Sequence, residues 1–174
     1  MNREKPVRRN PRLKGYDYAQ AGYYFITICV KDRHELLWDT SVGCDVLIAP
    51  DAPPLSEYGN IVNQHIQKIN LFCDRVHVDK YTIMPNHIHM ILIITQAQDG
   101  KCGAMRTSRP TSASLPSVVR SLKTMVTKEI GFSLFQRSYH DHIIRNDLEY
   151  QKIWHYIHHN PANWEHDSLY PKKD

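Results

Sequence analysis

Two histidines one residue apart, His87 and His89, interrupt the apolar stretch YTIMPNHIHMILII at residues 81–94. Along a β-strand, residues i and i+2 point to the same side. Both imidazoles therefore share one face with Ile91 and Ile93, and Ile88, Met90, Leu92 and Ile94 take the other. Two Cα atoms about 6.5–7 Å apart let the rings tilt onto one metal ion at about 2.1 Å each. A histidine pair is equally compatible with a half-exposed sheet edge, and the chain holds 11 histidines. The pair alone is half a site, and a third ligand has to come from elsewhere.

The last apolar-periodic stretch, NDLEYQKIWHYIHHNP at residues 146–161, bears the next candidates. Tyr150, Ile153, Trp154 and Ile157 recur at i, i+3, i+4, i+7 and form its apolar stripe. Tyr156 falls off that stripe. Asn160, one turn further on, shares its flank, as do Glu149 and Lys152. Tyr156 either packs at the rim of the core while Asn160 closes the helix before Pro161, or the two extend the histidine site. Tyr139, in RSYHDH beside His140 and His142, is a competing tyrosine.

These side chains need elements to carry them. Residues 1–20 form a basic N-terminal arm with Arg8, Arg9, Arg12 and Lys14, followed by Tyr16 and Tyr18; Pro6 and Pro11 argue against a helix there. The arm is either a solvated tail or a nucleic-acid contact. GYYFITICV, residues 22–30, is β-branched and aromatic and reads as a central strand. Residues 41–54 mix a short apolar run with prolines, a short strand or a loop. Residues 55–72 read as a helix, with Ser56 as N-cap and Tyr58, Val62, Ile66 and Ile69 at helical spacing. VHVDKYTIM and HIHMILIIT are strands joined by the turn dipeptide Pro85-Asn86. Residues 97–114 form a mobile loop with Lys101, Arg106 and Arg109. Residues 114–131 are a helix with Val118, Leu122, Met125 and Val126 on its apolar face, ended by Gly131. Residues 134–144 are a fourth strand, and Asn146 or Asp147 caps the final helix. The order β-α-β-β-α-β plus one helix predicts an α+β, ferredoxin-like antiparallel sheet with helices on one face.

The length of 174 residues with 41% hydrophobic content predicts one domain over residues 1–174. The formal charge of +4 is modest and gains meaning only where the positive residues cluster. Cys29, Cys44, Cys73 and Cys102 match no zinc template and read as free thiols. No apolar run reaches the roughly 18 residues of a membrane span, and no secretory leader is visible. The expectation is a soluble cytoplasmic protein without a membrane partner.

GYYFITI, MPNHIHMI, FQRSYHDHIIR and YIHHNP, in this order over roughly residues 8–164, resemble the HUH endonucleases. Within them the chain is similar to the single-domain tyrosine transposases of the REP-associated group. The resemblance implies a divalent metal, Mg²⁺ or Mn²⁺, held by His87, His89 and Asn160, and a Tyr156 nucleophile that cleaves single-stranded, hairpin-forming DNA. Asn160 stands where the larger group often has glutamine. Contacts to DNA are expected from Arg8, Arg9, Arg12, Lys14, Tyr16, Arg120, Lys123, Arg145 and Lys152, in a monomer or homodimer. The competing expectation is a non-catalytic single-stranded DNA or RNA binding module on the same sheet.

Overall fold

The computed structural model describes residues 13, 15–39, 55–72, 75–96 and 114–171. Arg8, Arg9, Arg12 and Lys14 of the basic arm, residues 41–54, and the loop cations Lys101, Arg106 and Arg109 lie outside them. Seven elements follow in chain order: β1 (Gly22–Cys29), α1 (Glu57–Phe72), β2 (Val76–Met84), β3 (His87–Ile94), α2 (Leu115–Ile130), β4 (His140–Ile144) and α3 (Asp147–His159). A short 3-10 segment, Pro161–His166, follows α3.

The four strands form one sheet in the order β2-β3-β1-β4, with every neighbouring pair antiparallel. This is the order that two interleaved β-α-β units produce, as the sequence predicts. The register pairs Thr27 with His89 and Cys29 with His87. β3 is thus an interior strand, clamped by β1 and β2 along its whole length.

The two sides of the sheet are covered by different helices. Tyr24, Ile26 and Ile28 of β1 and Ile88, Met90, Leu92 and Ile94 of β3 belong to the large core that also holds Val62 and Ile66 of α1 and Val118, Leu122 and Val126 of α2. Burying each such side chain contributes roughly 1.5–3 kcal/mol, so this face fixes β3. On the opposite face Ile91, Ile144 and Ile157 form a smaller cluster with Phe25, Tyr150, Ile153 and Trp154. There α3 lies on the same side as the histidines.

Most helix ends match the sequence. Ser56 Oγ accepts the Gly59 N–H at 3.1 Å, Asn146 caps α3 through the Glu149 N–H, and Gly131 ends α2 in the left-handed region at φ 89. Two expectations are corrected. Met125 is 49% exposed, and Val119 is buried in its place. At 100° per residue the buried positions of α2 run from Val118 round to Val119, and Met125 falls about 20° outside that arc. The fourth strand is also shorter than residues 134–144. Phe135 bridges Val30, but the carbonyls of Gln136 and Ser138 turn to the Lys123 ammonium at 2.8 and 2.9 Å instead of to a strand. Tyr16, an expected DNA contact, is half-buried. Its ring packs edge-on to Tyr18 at 5.1 Å and its hydroxyl lies 3.3 Å from that of Tyr24, on the α1/α2 side of the sheet.

Gly59 sits where α1 crosses the end of the chain segment after β1. A Cβ there would run into the Leu37 carbonyl oxygen. Alanine would gain about 1 kcal/mol of helix propensity, but overpacking against backbone costs typically 1–3 kcal/mol. Gly59→Ala is therefore expected to lower the urea midpoint, and a raised midpoint would contradict the close approach.

Candidate metal and nucleophile site

The site begins with the histidines. Interior placement buries them: His87 has no exposed surface and His89 is 4% exposed. Their Nε2 atoms face each other at 2.9 Å. His87 Nδ1 lies 2.7 Å from Asn86 Oδ1, and His89 Nδ1 lies 2.8 Å from Thr27 Oγ1. Phe25 stacks on the His89 ring at 5.3 Å, and Trp164 packs against His87 at 5.9 Å. Burial, and for His89 the neighbouring His87, push the two imidazoles down to about 4 and about 3. Both are neutral near pH 7, the form that binds metal.

α3 supplies the next groups, and its docking on the sheet sets their place. The Tyr150 hydroxyl donates to Asp79 on β2 at 2.7 Å. His142 of β4 meets Glu149 at 2.6 Å, and Glu149 also accepts the Arg145 N–H at 2.8 Å. The SYHDH segment thereby ties β4 to the first turn of α3. Two turns further on, the Tyr156 hydroxyl lies 3.2 Å from His89 Nε2 and donates to Asp167 Oδ2 at 2.9 Å. The tyrosine remains 42% exposed overall. Burial of its hydroxyl, then the hydrogen bond to Asp167, raise its pKa above the ordinary tyrosine value.

Helix α3 does not simply stop at Asn160. That residue keeps helical angles, φ −58 and ψ −43, and the chain runs on into the 3-10 segment. This turn swings Asp167 back over the histidines. Asp167 Oδ1 accepts the Leu169 N–H at 2.6 Å, and Oδ2 also accepts from Asn160 Nδ2 at 2.8 Å. Burial raises the Asp167 carboxyl, but these hydrogen bonds and that from Tyr156 outweigh it and hold its pKa below the usual carboxylate value. The Asp167 side chain is fully enclosed and lies 4.0 Å from His89 Nε2.

One ligand atom each from His87, His89 and Asp167 lie within 4.8 Å of one another. The donor test for a metal is met by Asn160 as well. Its amide nitrogen is committed to a carboxylate, so its Oδ1 is the remaining atom. That oxygen is buried without a hydrogen-bond partner among the described residues. Such an orphan costs about 1–3 kcal/mol, and a cation would satisfy it. Two neutral imidazoles with an amide and a carboxylate oxygen fit a divalent ion such as Mn²⁺ or Mg²⁺. Sequence reasoning misses Asp167, because it lies beyond the expected helix stop at Pro161. Its one local signal is the Asp-Ser pair, an Asx-turn former.

Among the described residues, the expected DNA contacts lie on different elements. Lys152 is exposed on α3 and Arg145 is exposed just before it. Arg120 is exposed on α2, which packs on the other face with Tyr16. The Lys123 ammonium is taken up by the carbonyls before β4. The competing Tyr139 is buried in the α1/α2 core, away from the histidines. Among the described residues no helix is long and apolar enough to cross a membrane.

No family model matches the chain. Over 176 aligned residues it is 38% identical to an uncharacterized protein of Haemophilus influenzae, which spans 94% of this chain and 93% of that protein. The chain belongs to the same family as that protein. The solved structure of a REP-associated tyrosine transposase bound to a REP hairpin is similar with a TM-score of 0.59. It covers 88% of this chain and 73% of that one at 18% identity. The fold is that of this REP-associated tyrosine transposase. In this fold the histidines on the interior strand and the tyrosine on the last helix meet across 67 residues of sequence.

The neutral histidines give the metal-free protein a defined pH response. An unfolded histidine takes its proton near pH 6.5, whereas the folded pair resists until about 4 and about 3. Between these values the unfolded chain binds more protons, so stability falls as pH falls. Asp167 and Glu149, with depressed carboxyl pKa values, lose their contribution only in more acidic solution. The urea midpoint of metal-free protein is expected to drop steadily from pH 6.5 to 4. The slope should flatten in the His87→Gln/His89→Gln double variant, and an equal slope in both proteins would refute a buried neutral pair.

Proposed function

We propose that this protein is a metal-dependent DNA endonuclease and strand transferase of the transposase type. Its substrate would be single-stranded DNA beside a hairpin. The observation that carries the reading is the position of the Tyr156 hydroxyl, 3.2 Å from His89 and 2.9 Å from a buried carboxylate. A tyrosine that served only as packing at the rim would not need a sealed acceptor at its hydroxyl.

In this reading Tyr156 Oη attacks the scissile phosphorus. The Oη–P bond forms and the P–O3′ bond breaks, leaving a 5′-phosphotyrosine and a free 3′ hydroxyl. Asp167 Oδ2 already holds the phenol proton and is the group to receive it. Since the phenol pKa is raised at rest, the proton leaves during attack rather than beforehand. The 3′ oxygen takes its proton from solvent. The phosphodiester energy stays in the tyrosine ester, so another 3′ hydroxyl can reverse the step without ATP. A divalent ion held by His87, His89, Asn160 and Asp167 would supply positive charge to a non-bridging phosphate oxygen and the departing 3′ oxygen. Phe25 and Trp164 keep the imidazoles from tilting away.

Lys152, one turn before Tyr156 on α3, and Arg145, just before that helix, would steer the phosphate backbone, joined by the basic arm and the loop cations. The hairpin comes from the target of the similar transposase. One domain over residues 1–174, a cytoplasmic setting, and a monomer or homodimer complete the reading.

Trapping tests it. Protein, Mn²⁺ and hairpin-flanked single-stranded DNA should yield an adduct that survives denaturant. Tyr156→Phe should abolish the adduct and Tyr139→Phe should spare it. His87→Ala should cut cleavage by two or more orders of magnitude, on the scale of losing metal-derived stabilisation, and keep most of the DNA affinity. An adduct that persists in Tyr156→Phe sinks the assignment, and so does a complete lack of adduct with wild type over a panel of hairpins.

A further inference from the structure

The two histidines are held by partners of different chemistry. Asn86 ends the β2–β3 turn and is 1% exposed. Its amide nitrogen donates to the Leu169 carbonyl at 3.0 Å. A carbonyl can only accept, so the amide cannot be flipped, and Oδ1 must be the atom facing His87 Nδ1 at 2.7 Å. An amide oxygen also can only accept. His87 therefore carries its proton on Nδ1, and its Nε2 is bare. His89 Nδ1 instead meets the hydroxyl of Thr27 at 2.8 Å, which can donate or accept.

We propose that Asn86 is a positioning residue that fixes the His87 tautomer, presenting a bare Nε2 to the site whether or not an ion is bound. Thr27 leaves His89 free to change its tautomer. In the metal-free protein the 2.9 Å contact between the two Nε2 atoms needs one proton. With His87 Nε2 bare, that proton sits on His89 Nε2, and the Thr27 hydroxyl donates to His89 Nδ1. When His89 becomes a ligand, its proton moves to Nδ1 and the Thr27 hydroxyl rotates to accept it. A second amide at position 27 could not make that rotation. Leu169 closes the circuit, because the turn that sets Asp167 through the Leu169 N–H also sets Asn86 through the Leu169 carbonyl. Asn86 thus acts through His87, in the manner by which hydrogen bonds to a ligand's far nitrogen tune metal sites.

The inference rests on the metal-site reading, but it has its own readout. Two-bond ¹H–¹⁵N correlation spectra of metal-free protein distinguish the histidine tautomers, with His87 assigned from the signal lost in His87→Gln. Wild type should show His87 protonated on Nδ1 and His89 on Nε2. Asn86→Leu should release the His87 tautomer and weaken Mn²⁺ binding, followed by electron paramagnetic resonance, roughly 10–100-fold. Asn86→Asp keeps an acceptor for His87 but cannot donate to Leu169. It should retain the Nδ1–H tautomer and most of the Mn²⁺ affinity. A His87 proton on Nε2 in wild type overturns the proposal without any variant. Equal Mn²⁺ losses in Asn86→Asp and Asn86→Leu would assign the effect to the Leu169 contact and overturn it too. Failure of wild type to bind Mn²⁺ would count against the metal-site reading, while the tautomer spectra would still decide the role of Asn86.

Discussion

Everything at the site depends on two imidazole nitrogens being held 2.9 Å apart in a place water does not reach. Left to themselves in water, two neutral rings would each bond to solvent and separate. They do not, because β3 is clamped on both edges and its other face is filled by Ile88, Met90 and Leu92. The apolar residues of the strand cannot shift without opening the large core, so the polar residues between them inherit its rigidity. Burial also keeps both rings neutral, and neutral rings can accept a cation that protonated ones would repel.

The second half of the site is built on a weaker foundation. Among the described residues, the buried members of the cluster under α3 are Ile91, Ile144 and Ile157. Polar ties make up the difference: Tyr150 to Asp79, and His142 to Glu149. Such ties near the surface stabilise less than the burial of a core side chain does. α3 is consequently held to the sheet by a smaller apolar cluster than α1 and α2 are. In the proposed reading, this is the helix that carries the nucleophile and receives a DNA strand beside it.

Much of this was legible in the sequence because it rests on local periodicity. Alternation along residues 87–94 assigns each side chain to its face, and the stripe Tyr150, Ile153, Trp154, Ile157 places Tyr156 beside it. Caps at Ser56, Asn146 and Gly131 follow from residue chemistry within one turn. What escaped has longer-range causes. Lys123 reads as a free surface cation, and only the tertiary fold brings it to the carbonyls that break β4. Tyr16 reads as an exposed aromatic, and only the sheet shows Tyr24 beneath it. Asp167 follows a proline that signals a stop, yet Pro at the first position of a new turn is compatible with continued winding.

Asp167 also explains why a buried carboxylate is tolerated there. An uncompensated charge in such a place would be strongly unfavourable. Here the Leu169 N–H, the Asn160 amide and the Tyr156 hydroxyl all point at it, and all three come from one continuous piece of chain, α3 and the turn after it. The carboxylate therefore organises the C-terminal segment into a single unit. Within that unit Asn160 gives its nitrogen to Asp167, which leaves its buried oxygen without a hydrogen-bond partner among the described residues. The phenol is oriented by the same carboxylate that would take its proton. Removing the charge would disturb the acceptor, the amide and the phenol together. The site is thus a junction between two rigid pieces, one set by apolar packing and the other by a single buried negative charge.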